Sequence, residues 1–274
     1  MYRTIVTQKI KIGLVVLGAM VVTALGIDAF DTTQGSEGTF LAQLLSSTEA
    51  DGCPAGMVSV PTAASFSCVD AYEASPAREC PHQQVRTIAA SRENLRQSSC
   101  GVVSAVDAHP WVYVSREEAA RLCAKSGKRL PTAAEWYQFS LGIETQADSC
   151  VINSNEATKT GSAATCVSHY GVHDVVGNVW EWVSDDVFDG LYQGRALPSS
   201  GYVHQVDAGG MPVYTAAEPN DAYQGDYVWS GDAGAFGILR GGFYGSRTDA
   251  GLYAVHAQTN PNDATRGIGF RCVL

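Results

Sequence analysis

A chain of 274 residues has room for one large domain or two small ones, and 45% hydrophobic with only 17% charged residues suits a loop-rich exported domain better than a helical cytosolic one. The formal net charge of −10 argues against a nucleic-acid phosphate backbone as partner. The same acidity accords with cation binding and with solubility.

The N-terminal stretch reads as an address. Residues 1–11 carry Arg3, Lys9 and Lys11, and residues 12–27 are an uncharged, mostly apolar run closed by Asp28. Such a run is intermediate in length between a signal-peptide core and a full membrane span. The basic flank belongs in the cytoplasm, which places the rest of the chain outside the cell. We read 12–27 as a membrane anchor and the protein as a cell-surface one; cleavage after Gly26 would give a secreted form instead. Residues 28–52, rich in Thr, Ser and Gly, read as a linker, and the folded domain is expected over 53–274.

There are eight cysteines, with no Cys-x-x-Cys pair. Downstream of an export signal an even number implies disulfides. Cys80 and Cys100 are placed to staple an irregular stretch over 75–110, although the pairing among Cys53, Cys68, Cys80 and Cys100 stays open. Cys150 and Cys166 bracket a polar loop that a local disulfide would close.

Met57-Val-Ser-Val and the stretch from Ser65 to Glu73 alternate polar and apolar residues, as strands do. Ser115 and Glu118 form a capping box for a helix ending at Gly127; Thr132 and Glu135 form a second, for a helix closed by Gly142. From Gly171 to Asp185 the chain reads Gly-Val-His-Asp-Val-Val-Gly-Asn-Val-Trp-Glu-Trp-Val-Ser-Asp. On a strand, Trp180 and Trp182 point one way and Glu181 the other. Gly177-Asn178 provides a turn between Asp174 and this strand. On spacing alone the two acids belong to an ordinary hairpin. Two acids around a turn, with carbonyls to help, also suit a hard cation. Residues 186–237 read as loops and short strands on a ligand-facing side.

The Gly171–Asp185 segment resembles a signature of the formylglycine-generating enzyme (sulfatase-modifying factor) family. Further matches follow that family's order: the Met57 strand, Cys68-Val-Asp-Ala-Tyr-Glu, the block from Cys123 to Trp136 with Gly-Lys-Arg-Leu-Pro-Thr inside it, Leu239-Arg-Gly-Gly, and Gly269-Phe-Arg-Cys. The resemblance covers about residues 53–273. It implies an α+β domain with that family's version of the C-type lectin fold: two main helices, short antiparallel strands and many loops. It also implies a structural calcium held by the Asp174 and Glu181 side chains and the Gly177 and Val179 carbonyls, and a disulfide between Cys123 and Cys272.

The resemblance fails where the family does its chemistry. Those enzymes oxidise a target cysteine with two copper-binding thiols. The matching positions here are Ser246 and Gly251, and no cysteine lies between Cys166 and Cys272. Neither position can supply a thiolate, so no copper is expected and no catalytic residue is assigned.

Between residues 240 and 271, framework-like positions such as Gly241, Gly242 and Pro261 alternate with polar, changeable ones. The pattern resembles the variable region of diversity-generating retroelement target proteins; an ordinary Gly/Ser/Thr-rich terminal loop is the alternative. Phe243, Ser246, Arg247, Asp249, Tyr253, His256 and Thr259 are the expected ligand-binding positions, joined by Tyr227 and Trp229. The expected function is binding of a protein or carbohydrate outside the cell. A thiol-independent oxidase or hydroxylase-type relative, and a structural envelope protein, are the alternatives.

Overall fold

The computed structural model describes residues 52–143 and 149–274. The anchor expected over 12–27 lies outside them. Among the described residues no helix is long and apolar enough to cross a membrane. The compact unit runs from Cys53 to Leu274, and its architecture is α+β.

Two small antiparallel ribbons open the domain. Strand β1 (Met57–Ser59) pairs with β2 (Cys68–Asp70), and β3 (Ala74–Pro76) pairs with β4 (Val102–Ser104). Between β3 and β4 lies a helix that the sequence pattern did not announce, α1 (Ile88–Arg96). Its buried residues are Ser91 and Asn94, so it has no apolar stripe to recognise. Polar bonds hold it instead. Asn94 exchanges two hydrogen bonds with the His82 backbone, and Ser91 Oγ accepts from Trp111 Nε1 at 2.9 Å.

The two expected helices form as their caps dictate. Helix α2 (Arg116–Lys125) starts at Ser115 and α3 (Ala133–Ser140) at Thr132, each with a complete reciprocal capping box. Gly127 follows α2 with φ of 69°, the left-handed conformation that ends a helix cheaply.

The remaining strands build one mixed sheet: β5 (Trp180–Phe188), β6 (Leu191–Tyr192), β7 (Arg195–Ala196), β8 (Gly201–Val206), β9 (Pro212–Ala216), β10 (Tyr227–Ser230), β11 (Ala235–Arg240), β12 (Val255–Thr259) and β13 (Ile268–Gly269). Its order is β7-β6-β5-β11-β12-β10-β8-β9, with β13 paired to β5. The β10–β12 and β13–β5 pairs are parallel and the others antiparallel.

Residue alternation gives the sheet two faces. Val183, Ile238, Val255 and Val228 pack with Trp136 and Phe139 of α3. Trp180, Trp182 and Leu239 pack with Ala119 and Leu122 of α2. Burying each aliphatic or Phe side chain here contributes about 1.5–3 kcal/mol. The two indoles of β5 therefore face α2 while Glu181 faces α3.

Four disulfides join Cys53–Cys68, Cys80–Cys100, Cys123–Cys272 and Cys150–Cys166. They use all eight cysteines of the sequence, so the chain has no free thiol. Cys123–Cys272 ties α2 to the C-terminus across 149 residues.

Candidate functional site

The Gly171–Asp185 segment ends in a buried polar centre. Gly177 and Asn178 both have positive φ and turn the chain into β5; a side chain at 177 would strike the Val151 carbonyl. Beyond the turn, Glu181 is buried and accepts from Arg271 Nη2 at 2.6 Å, from Arg271 Nε, and from Trp136 Nε1 at 2.8 Å. Asp174 Oδ2 accepts from the Gly161 amide at 2.6 Å. Glu73 joins them, accepting from Asn178 Nδ2 and the Val179 amide.

Three buried carboxylates thus surround one buried guanidinium. Burial pushes the Asp174 carboxyl up to about 6. Burial first, and then the Asp174 and Glu181 charges, push Glu73 well above the usual carboxylate range. The excess of negative charge suits a cation. The arrangement of donors suits it less: Arg271 and Trp136 between them occupy both Glu181 oxygens. Among the described residues no group of three or more His, Cys, Asp and Glu is arranged as a metal cluster.

The C-terminal segment is built on glycines that admit no side chain. A Cβ at Gly241 would strike the Val175 carbonyl, and one at Gly242 would strike Ala250; both residues have φ near 90°. From this frame the nine expected ligand positions separate into three groups. Tyr227, Trp229, His256, Thr259 and Phe243 lie toward the α2 side of the sheet. Here the Trp229 ring stacks on His256 with centroids 5.5 Å apart, and Tyr227 lies 4.8 Å from Trp229. Thr259 Oγ1 bonds His256 Nδ1 at 2.8 Å, and burial holds the imidazole down to about 4, so it is neutral at pH 7. Ser246, Arg247 and Asp249 form a turn at the segment's bend, with Ser246 Oγ accepting from the Phe243 amide. Tyr253 departs from both groups and packs against Tyr137 and Tyr223.

Sequence reasoning missed several members of the aromatic group. Trp180 looked like pure core, yet its ring meets Trp229 and His256 and it lines a cleft of about 310 Å³ with Phe243, Tyr244, Thr259 and Arg266. Tyr202 extends the row through Tyr227, 5.1 Å away. The alternation in β8 and β10 was the available signal, but the parallel β10–β12 pairing that sets Trp229 beside His256 is non-local.

The position of the second thiol is closed. Gly251 lies against the buried Asp226 carboxylate, which a Cβ at 251 would overlap. Asp226 Oδ2 accepts from the Tyr253 amide at 2.7 Å, while Oδ1 has no hydrogen-bond partner.

These features define a disulfide-stapled α+β domain with an aromatic cleft beside its C-terminal segment and no free thiol. Residues 142–274 match the model of the sulfatase-modifying factor enzyme 1-like domain. The formylglycine-generating enzyme of Mus musculus is 35% identical over 101 residues, covering 28% of this chain and 27% of the enzyme. The serine/threonine-protein kinase pkn1 of Chlamydia caviae is 28% identical over 172 residues, covering 60% of this chain and 24% of the kinase. The chain thus spans about a quarter of the length of these relatives. Among solved structures, the Major Tropism Determinant M1 variant is similar with a TM-score of 0.45 and 18% identity, covering 82% of this chain and 53% of that one.

Proposed function

We propose that this protein binds a ligand on a formylglycine-generating-enzyme-like scaffold of C-type lectin type and performs no copper-thiol oxidation. The observation that carries this reading is the fate of the two thiol positions. Ser246 turns its hydroxyl onto the Phe243 amide, Gly251 is filled by Asp226, and every cysteine is in a disulfide. What the segment offers instead is a shaped aromatic surface. Aromatic and arginine anchors usually dominate a binding energy. The disulfides accord with an extracellular place, and we propose display at the cell surface through 12–27, with the 240–271 segment diversified between copies.

The direct test is turnover. Purified protein with copper and a cysteine-containing sulfatase peptide should form no formylglycine above a metal-only control. Formation above that control would overturn the reading in favour of an active oxidase.

A structural calcium held by Asp174, Gly177, Val179 and Glu181 belongs to the same proposal. The surplus of buried carboxylate supports it. Glu181 would have to share an oxygen with Arg271 to take part.

A further inference from the structure

Next to the aromatic cleft is a second, of about 240 Å³, on the other side of Tyr244 and Arg266, which line both. Its other polar walls include Arg86, His109, Tyr113 and Glu156. These side chains are idle. Among the described residues the Arg266 guanidinium makes no hydrogen bond or ion pair. Nor do the His109 ring, the Tyr113 and Tyr244 hydroxyls, or the Glu156 carboxylate. Arg86 bonds only the neutral Gln84 amide oxygen, at 2.8 Å. Tyr244 is buried, at 3% exposure, and lines both clefts.

The charge of this cleft runs against that of the molecule. The whole chain has a net charge of −10. Here two arginines face one acid, and burial, followed by the Lys159 and Arg86 charges, lowers the His109 pKa against the opposing pull of Asp107 and Glu156. Tyr113 has φ of 57°, a conformation costly for a bulky residue, with its amide fixed to the Thr265 carbonyl. The backbone thus sets the phenol at the cleft wall beside the 265–266 turn. One unpaired guanidinium at Arg266, a second at Arg86 bonded only to a neutral amide oxygen, and phenol donors around a concave space suit a planar or tetrahedral oxyanion.

We propose that this cleft binds an anionic group, a carboxylate, sulfate or phosphate, carried on a ligand whose ring lies in the adjoining cleft against Phe243 and Trp180. Arg266, at the boundary, serves both parts. The inference rests on the ligand-binding reading, but it requires neither that the segment be diversified nor that the protein lack oxidase activity. The copper assay and the anion test can therefore fail separately.

The test uses benzoate, phenyl sulfate and phenyl phosphate as probes, with benzyl alcohol as the neutral control, titrated into the purified protein by NMR or calorimetry. At least one anion should saturate while benzyl alcohol binds at least tenfold more weakly, and whichever anion binds tightest assigns the oxyanion. Charge-assisted bonds of this kind predict a loss of about tenfold for Arg266→Ala and again for Arg86→Ala. Both residues are exposed, so melting temperatures should hold. Arg121→Ala, which removes an exposed arginine of α2 that lines neither cleft, should leave anion affinity unchanged. Equal binding of benzyl alcohol and the anions, binding of none of the four, or wild-type affinity in Arg266→Ala would overturn the proposal.

Discussion

Arg271 governs the polar centre at the residue scale. It is fully buried and donates to Glu181 and to the Asp70 and His173 carbonyls. Removing one partner of a buried ion pair costs about 3–5 kcal/mol because the other charge is stranded. Glu181→Ala would therefore damage the fold whatever the metal does, and Asp174→Asn is the cleaner probe of calcium. Calcium that binds only the native state should raise the melting temperature. Chelator should lower it for the wild type and leave Asp174→Asn unmoved; an equal response in both would remove calcium from the account.

Asp226 supplies a second residue-level prediction. Burial pushes its carboxyl up from 3.8 to about 7. The folded state then keeps a proton that the unfolded chain releases, so this group's contribution to stability is full below about pH 4 and is lost as pH rises through about 7. Relative to Asp226→Asn, wild-type melting temperature should fall between about pH 4 and 8 and run parallel above that range. A constant difference across the whole range would show that Asp226 titrates normally.

Elements were legible in the sequence to the degree that their signals were local. The capping boxes at Ser115 and Thr132 lie within four residues and predicted α2 and α3 correctly. The Trp180–Trp182 alternation predicted the facing of β5. Helix α1 escaped because Ser91 and Asn94 anchor it by hydrogen bonds rather than by an apolar stripe. The partner of Glu181 escaped because Arg271 is 90 residues away, and so did Asp226, since nothing near Gly251 in sequence announces the carboxylate that fills its space. The link from α2 to the C-terminus is long-range too, and only the resemblance supplied it. Closing 149 residues with Cys123–Cys272 adds roughly 3–5 kcal/mol in the chain-entropy model. Cys272→Ser should lower stability by that order in denaturant titration, and Gly242→Val should lower it through the clash with Ala250. Unchanged midpoints would mean that neither feature holds the segment.

For the whole molecule, the two faces of the sheet differ in how fully they are covered. The α3 face carries the apolar core and the Glu181–Arg271 pair. On the other face α2 covers Trp182 and Leu239, while the part formed by β8, β10 and β12 keeps Tyr202, Tyr227, Trp229 and His256 partly accessible. How the nine expected positions divide among the aromatic group, the Ser246–Asp249 turn and Tyr253 was not readable from the segment itself, because it depends on the non-local pairing of β12 with β10.

The claim at the centre is that a fixed frame displays a changeable surface. Sequencing this gene from many sibling clones of one population tests it most directly. The account predicts substitutions concentrated at Phe243, Ser246, Arg247, Asp249, Tyr253, His256 and Thr259, with Gly241, Gly242, Gly251, Asp226 and the cysteines unchanged. Substitutions spread evenly across the domain, or falling on those glycines as often as on the projecting positions, would contradict it.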